Sequence, residues 1–200
     1  MIPKRLAVAA LCAAALCLSG CDKFLPNAHS TFNSVDVTGA PLGPDFHLAD
    51  ADGKPRSLAD YRGKVVVLTF GYTHCPDVCP TTLSDFANAL KRLGPDSQRV
   101  QLLFVTLDPK RDSAEVLKQY VPAFDPTFVA LRGDDQAVEK ITRDFRIYAK
   151  AEPGKTPDSY LVNHSAQSFV FDREGKVRLV VGYGLEPEKI AADLRVLLNS

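Results

Sequence analysis

The sequence predicts an α/β sandwich built on a mixed central sheet, and three observations carry that prediction. Residues 65–70 and 100–107 are near-continuous apolar, β-branched runs, the pattern of strands covered on both faces. Apolar residues then recur at helical spacing, so strands alternate with helices. Toward the C-terminal end, two more strand-like runs face each other across a short polar turn and a last amphipathic segment follows, which reads as an antiparallel hairpin and a helix.

The domain is expected to begin near Asp45. Phe46 and Leu48 alternate with polar neighbours and Asp52-Gly53 supplies a turn before Leu58 and Tyr61, which predicts a short lead-in hairpin with His47, out of phase, facing water. After the strand at 65–70, a helix is expected to follow Pro80, with Leu83, Phe86, Leu90 and Leu93 on one face, Pro80 at its first position and Gly94 just past its end. Asp112 and Glu115 have the spacing of a capping box and predict a helix through Val116, Leu117 and Tyr120. Residues 127–131 read as a third strand, and Val138, Ile141 and Phe145 mark a third helix. Residues 148–163, with Pro153, Gly154 and Pro157, read as a long loop, and long loops inside compact domains are commonly functional. Residues 168–171 and 177–181 form the closing hairpin, and Glu186-Pro187 opens a last helix carrying Ile190, Leu194, Leu197 and Leu198.

The 200 residues are 46% hydrophobic and 24% charged, the proportions of an ordinary globular chain. Twenty-four basic residues balance twenty-four acidic ones, so no overall positive field exists to hold nucleic acid. Met1 is the one methionine and Trp is absent, which excludes a methionine-rich metal carrier.

At the N-terminus, Lys4 and Arg5 precede an apolar run from Leu6 to Leu18. Its thirteen residues are too few for a membrane-spanning helix, which needs about 20, and fit a signal peptide over residues 1–20. The run ends in Leu18-Ser19-Gly20-Cys21, which resembles the lipobox of bacterial lipoproteins, so Cys21 is expected to be the lipidated first residue of the mature chain. Asp22 after it resembles the signal that retains such lipoproteins in the inner membrane. Residues 21–44 are rich in Asn, Ser, Thr, Gly and Pro and read as a flexible tether, with the domain over 45–200. Loss of the signal also removes Cys12 and Cys17, leaving Cys75 and Cys79 as the thiols of the domain.

Cys75-Pro76-Asp77-Val78-Cys79-Pro80 directly follows the first central strand, at the end where open α/β sheets place their sites. Each Cys precedes a proline, which predicts that the pair lies on a loop leading into the helix. Cys79 at the positive end of the helix dipole is expected to favour its thiolate. Two thiolates four positions apart can close a disulfide or hold a soft metal ion. A purely structural disulfide is disfavoured, because so short a loop gains little from cross-linking.

His164 ends the long loop. In a thioredoxin-like sandwich the loop before this strand faces the thiols, so His164 with Cys75 and Cys79 would make a soft three-ligand site. His74 is adjacent to Cys75 and diverges from it, a modulator at most; His29 falls in the tether. In Asp108-Pro109-Lys110-Arg111-Asp112, Asp112 reads as a helix cap and Asp108 as a turn residue, with partner recognition a secondary role.

Three segments together, Gly-Tyr-Thr-His-Cys-Pro-Asp-Val-Cys-Pro-Thr-Thr at 71–82, Thr-Leu-Asp-Pro-Lys-Arg-Asp at 106–112 and Val-Asn-His-Ser at 162–165, resemble the SCO/SenC family of copper proteins over roughly residues 40–198. The resemblance implies a thioredoxin-like fold and one copper ion per chain, Cu(I) or Cu(II), bound by Cys75, Cys79 and His164. It further implies a place in cytochrome c oxidase assembly, with delivery of copper or reducing equivalents to the binuclear copper site of subunit II. A thiol reductant or copper donor protein is a further expected partner, and the periplasmic face of the bacterial inner membrane is the expected location. Members commonly carry a transmembrane helix, and this chain departs by an apparent lipid anchor. The alternative is a thiol-disulfide oxidoreductase acting on exported proteins through the redox-active pair Cys75 and Cys79. Against a general dithiol reductase stand three residues between the cysteines and the absence of proline at Ser165-Ala166. Against a peroxiredoxin stand Leu68 and Tyr72, where its motif needs Pro and Thr.

Overall fold

Every residue of strand β4 (Val65–Gly71) is buried, and so is every residue of β5 (Val100–Thr106), as their unbroken apolar runs require. The two pair in parallel from Val65 opposite Val100 to Gly71 opposite Thr106, and β6 (Val129–Arg132) adds in parallel to β5. The structure is a computed structural model that describes residues 31–43, 45–156 and 159–200. The signal segment, Cys21 and His29 lie outside the described residues.

Antiparallel strands extend this parallel centre on both sides. On one side β9 (Ser168–Phe171) lies against β4, then β10 (Val177–Val181) and β1 (Val35–Asp36); on the other, β2 (Leu48–Asp50) and β3 (Pro55–Arg56) form the lead-in hairpin against β6. The sheet order is β1-β10-β9-β4-β5-β6-β2-β3, a mixed sheet of thioredoxin-like type. Asp52-Gly53 turns the hairpin with Gly53 at φ 80°, the left-handed region glycine enters without a Cβ penalty. His47 is exposed beside buried Phe46 and Leu48, as the alternation requires.

The pleat sorts the central side chains onto two cores despite the continuous apolar run. Val65 and Val67 face helices α1 (Val78–Leu93), α2 (Ala114–Tyr120) and α4 (Pro187–Leu198), whose Leu83, Leu117 and Leu194 are buried there. Val66, Leu68 and Phe70 face the opposite layer, with Ile141 of α3 (Asp135–Asp144), Phe145, and Phe46 and Leu48 of the lead-in.

Four local expectations are corrected. Helix α1 begins at Val78, so Cys79 and Pro80 sit in its first turn, not ahead of it; the first N–H groups of a helix have no intrahelical acceptor, so proline there sacrifices no bond. Asp112 does not cap α2: the cap is Ser113, whose hydroxyl accepts from the Val116 N–H at 3.3 Å. The long loop at 148–163 contains an antiparallel pair, β7 (Ala149–Glu152) and β8 (Leu161–His164), forming a small sheet of its own. Finally, residues 33–37, read as tether, are fastened to the domain. β1 pairs with β10, and the buried Asp193 carboxylate of α4 accepts from the Asn33 and Ser34 N–H groups at 2.7 and 2.8 Å and from the Ser34 hydroxyl at 2.6 Å. A two-residue strand is too short to carry a periodic pattern.

Candidate metal centre

Cys75, Cys79 and His164 come together at the carboxyl end of β4. Their ligand atoms all lie within 4.8 Å of one another, the one such His, Cys and acidic grouping found among the described residues. Both cysteines are free; Cys79 is buried and Cys75 half-buried. The local chain explains the sulfur pair. β4 ends at Gly71, the Cys75 N–H bonds the Tyr72 carbonyl to close a turn, and the Cys79 N–H points at the Cys75 sulfur at 3.4 Å. Gly71 is required by close approach: a Cβ there would stand 2.7 Å from the Cys79 sulfur and 2.8 Å from the Phe104 ring.

His164 arrives from β8 with its Nε2 3.4 Å from the Cys79 sulfur. Its Nδ1 is 2.8 Å from the Ser165 carbonyl oxygen, which can only accept, so Nδ1 carries the proton and Nε2 presents its lone pair toward the sulfurs. Burial pushes the imidazole pKa below its ordinary value, against the pull of the Ser165 carbonyl, and so favours the neutral, metal-binding form. The Tyr72 ring meets the imidazole edge-on at 6.0 Å.

The helix dipole does not decide the state of Cys79. Burial pushes its thiol pKa far above the ordinary range, outweighing a hydrogen bond with the Tyr72 backbone that works the other way. The metal-free thiol is therefore held protonated, and a soft cation must displace that proton to bind.

Sequence reasoning missed the supports of this site. Asp112 is fully buried and accepts from the Thr73 N–H at 3.1 Å, the Thr73 hydroxyl at 2.6 Å and the Thr106 hydroxyl at 2.6 Å. It thereby ties the 72–75 turn to the end of β5. Asp108, 3% exposed, pairs with Arg111 and accepts from the Tyr160 hydroxyl at 2.7 Å. His74 is not among the converging donors; its half-exposed ring lies 3.1 Å from the Thr73 hydroxyl and 3.8 Å from Asp112.

Fold and site together define a class: a thioredoxin-like domain in which a thiol pair and a remote histidine converge as soft metal ligands. The SCO1/SenC family model matches residues 35–199, and the chain belongs to that family. It is 35% identical over 153 residues to the mitochondrial SCO2 homologue of Mus musculus, a match covering 76% of this chain and 60% of the mouse protein. Among solved structures it is similar to copper-bound ScoI of Bradyrhizobium japonicum, with 38% identity, TM-score 0.72, and coverage of 78% of this chain and 99% of that one. Copper-bound yeast Sco1 is 32% identical with TM-score 0.73, covering 80% of this chain and 89% of the yeast one. Cys75, Cys79 and His164 form a possible copper site. No described helix is long and apolar enough to cross a membrane.

Proposed function

We propose that this chain is a membrane-anchored copper-binding protein that delivers copper, or reducing equivalents, for assembly of the binuclear copper site in subunit II of cytochrome c oxidase. The observation that carries the reading is the convergence of two thiols and an imidazole with its lone pair turned inward, within 4.8 Å. Two sulfurs suit Cu(I) and the imidazole makes Cu(II) accessible, with one ion per chain. The imidazole favours metal binding over dithiol reduction, since a third soft ligand beside the two sulfurs serves an ion and is not needed to exchange a disulfide. The copper-bound relatives at 38% and 32% identity support the choice of metal, and the step to oxidase assembly rests on family membership.

The anchor is assigned to a lipid on Cys21, following a signal over residues 1–20, at the periplasmic face of the inner membrane. A Cys21→Ser protein is expected to lose its acyl group and leave the membrane fraction; acylation persisting in that variant would remove the anchor from the account. Delivery itself is tested by deleting the protein and supplying copper. Restoration of the oxidase copper site by added copper supports donation of the metal, and failure at any copper level combined with rescue by a membrane-permeant reductant would contradict it.

A further inference from the structure

His164 stands on an arm that the main sheet does not hold. The β7–β8 pair exchanges hydrogen bonds within itself, Ala149 opposite His164 to Glu152 opposite Leu161, and β7 is mostly exposed. A ligand on such an arm is as well placed as the contacts that fasten the arm: Val162 of β8 is buried in the core, and the polar contacts are concentrated one residue ahead of β8, on Tyr160.

The Tyr160 hydroxyl donates to the Asp108 carboxylate at 2.7 Å. The Arg111 guanidinium lies 3.5 Å from its ring centroid, and Arg111 Nη1 donates to the Tyr160 carbonyl at 2.8 Å. Arg111 and Asp108 form an ion pair in which the side chains are 13% and 3% exposed. One guanidinium thus grips ring, backbone and carboxylate together, a task its planar fork performs and an ammonium does not. Arg111 also stands 5.7 Å from the ring of Tyr72, which meets the imidazole of His164 edge-on and forms a hydrogen bond with the Val162 backbone. Arg111 thus neighbours both Tyr160, one residue ahead of β8, and Tyr72, whose ring meets the imidazole.

We propose that Asp108, Arg111 and Tyr160 are positioning residues for His164: they clamp the β7–β8 arm and so set where Nε2 sits relative to the Cys79 sulfur. The proposal rests on the reading of Cys75, Cys79 and His164 as the copper site. A buried ion pair needs every partner satisfied to be tolerated, and here the arm supplies two of those partners, the Tyr160 hydroxyl and its carbonyl. Release of the arm would leave the pair incomplete, so the clamp and the seated histidine are coupled.

The test uses the full chain and two variants, Arg111→Lys, which keeps the charge and loses the fork, and Tyr160→Phe, which loses one hydroxyl. Two readouts serve: the imidazole signals of His164 in the metal-free protein by NMR, and Cu(II) titration with electron paramagnetic resonance. Both variants are expected to shift or broaden the His164 signals and to weaken Cu(II) binding by about 10–100-fold, the range found when groups behind a metal ligand are removed, with altered nitrogen coupling. Repeated in a His164→Ala background, neither substitution is expected to weaken copper binding further. Unchanged His164 signals and wild-type copper binding in both variants would overturn the clamp while leaving the copper site standing. An equal further loss in the His164→Ala background would also overturn it, since the effect would then not pass through the imidazole. Wild-type protein that binds no copper, or His164→Ala that binds it unchanged, would overturn the site and the clamp together.

Discussion

The sulfur arm and the histidine arm of the site are built differently. Cys75 and Cys79 follow β4, a fully buried strand, with Cys79 in the first turn of α1, whose apolar face is packed on the sheet. His164 belongs to a two-stranded sheet apart from the main one and is held by side chains, Tyr72 beside it and the Asp108, Arg111 and Tyr160 group behind it. The sulfurs are placed by a fully buried strand and the helix packed on it, the imidazole by the single buried Val162 of its strand and a few polar contacts.

The largest break in that comparison comes from oxidation, which removes both sulfur ligands in one step. Protein with a confirmed Cys75–Cys79 disulfide is expected to take up almost no copper until reduced, and prior copper loading is expected to protect both thiols from alkylation, because a disulfide lacks the charge and lone-pair strength of two thiolates. Stoichiometric copper uptake by oxidised protein would place the ligands elsewhere. Next comes Cys79→Ser, expected to weaken Cu(I) binding by more than the roughly 10–100-fold typical of groups behind a ligand, measured by competition with a Cu(I) chelator. His164→Ala is expected to do less to Cu(I), which two sulfurs still hold, and to remove the nitrogen signature of Cu(II).

Gly71→Ala probes the fixed arm through its packing. The new methyl meets the Cys79 sulfur at 2.7 Å and the Phe104 ring at 2.8 Å, and overpacking of this kind costs about 1–3 kcal/mol. Urea unfolding is expected to show that loss together with weakened copper binding; an unchanged midpoint would mean that β4 and α1 yield easily. Asp112→Ala is expected to cost a similar amount, about 1–3 kcal/mol, by leaving the buried Thr106 hydroxyl proton without its acceptor and freeing the 72–75 turn.

The smallest effect lies away from both arms, in the lead-in hairpin. Burial raises the Asp50 pKa, but hydrogen bonds from the Lys54 N–H, the Arg56 side chain and the Asp52 N–H together outweigh it, so its carboxyl is held below the ordinary range. A carboxyl depressed in the folded state stabilises above its unfolded pKa of about 3.9 and loses that contribution as pH falls through the folded value. Asp50→Asn is therefore expected to flatten the acid side of the stability profile below pH ~4, read by urea unfolding at several pH values.

The two arms also differed in how much of them the sequence showed. The strand at 65–70, the cysteines behind it and the helical spacing of Leu83, Phe86, Leu90 and Leu93 are contiguous, and each pattern reports on its own neighbourhood, so fold and sulfur arm were readable. The start of α1 is hidden because a residue before proline is biased away from the helical region, whereas a first helical turn tolerates proline. The histidine arm reads only as a loop in the sequence, since Ala149, Lys150 and Ala151 are exposed and poor in β-branched residues and show no alternation. Asp112 and Asp108 read as cap and turn residues because local chemistry explains an Asp before a helix well; their partners, Thr73 and Tyr160, lie 39 and 52 positions away. The signal available was Arg111 three residues after Asp108, together with a tyrosine shortly before the candidate histidine.

The central claim is that one copper ion is held by the two cysteine sulfurs and the Nε2 of His164. X-ray absorption on protein loaded with one equivalent of copper tests it most directly, comparing wild type with His164→Ala. Two sulfur scatterers and one imidazole nitrogen in the wild type, with the nitrogen contribution lost in the variant, is the predicted result. An unchanged shell of sulfur and nitrogen in His164→Ala would contradict it.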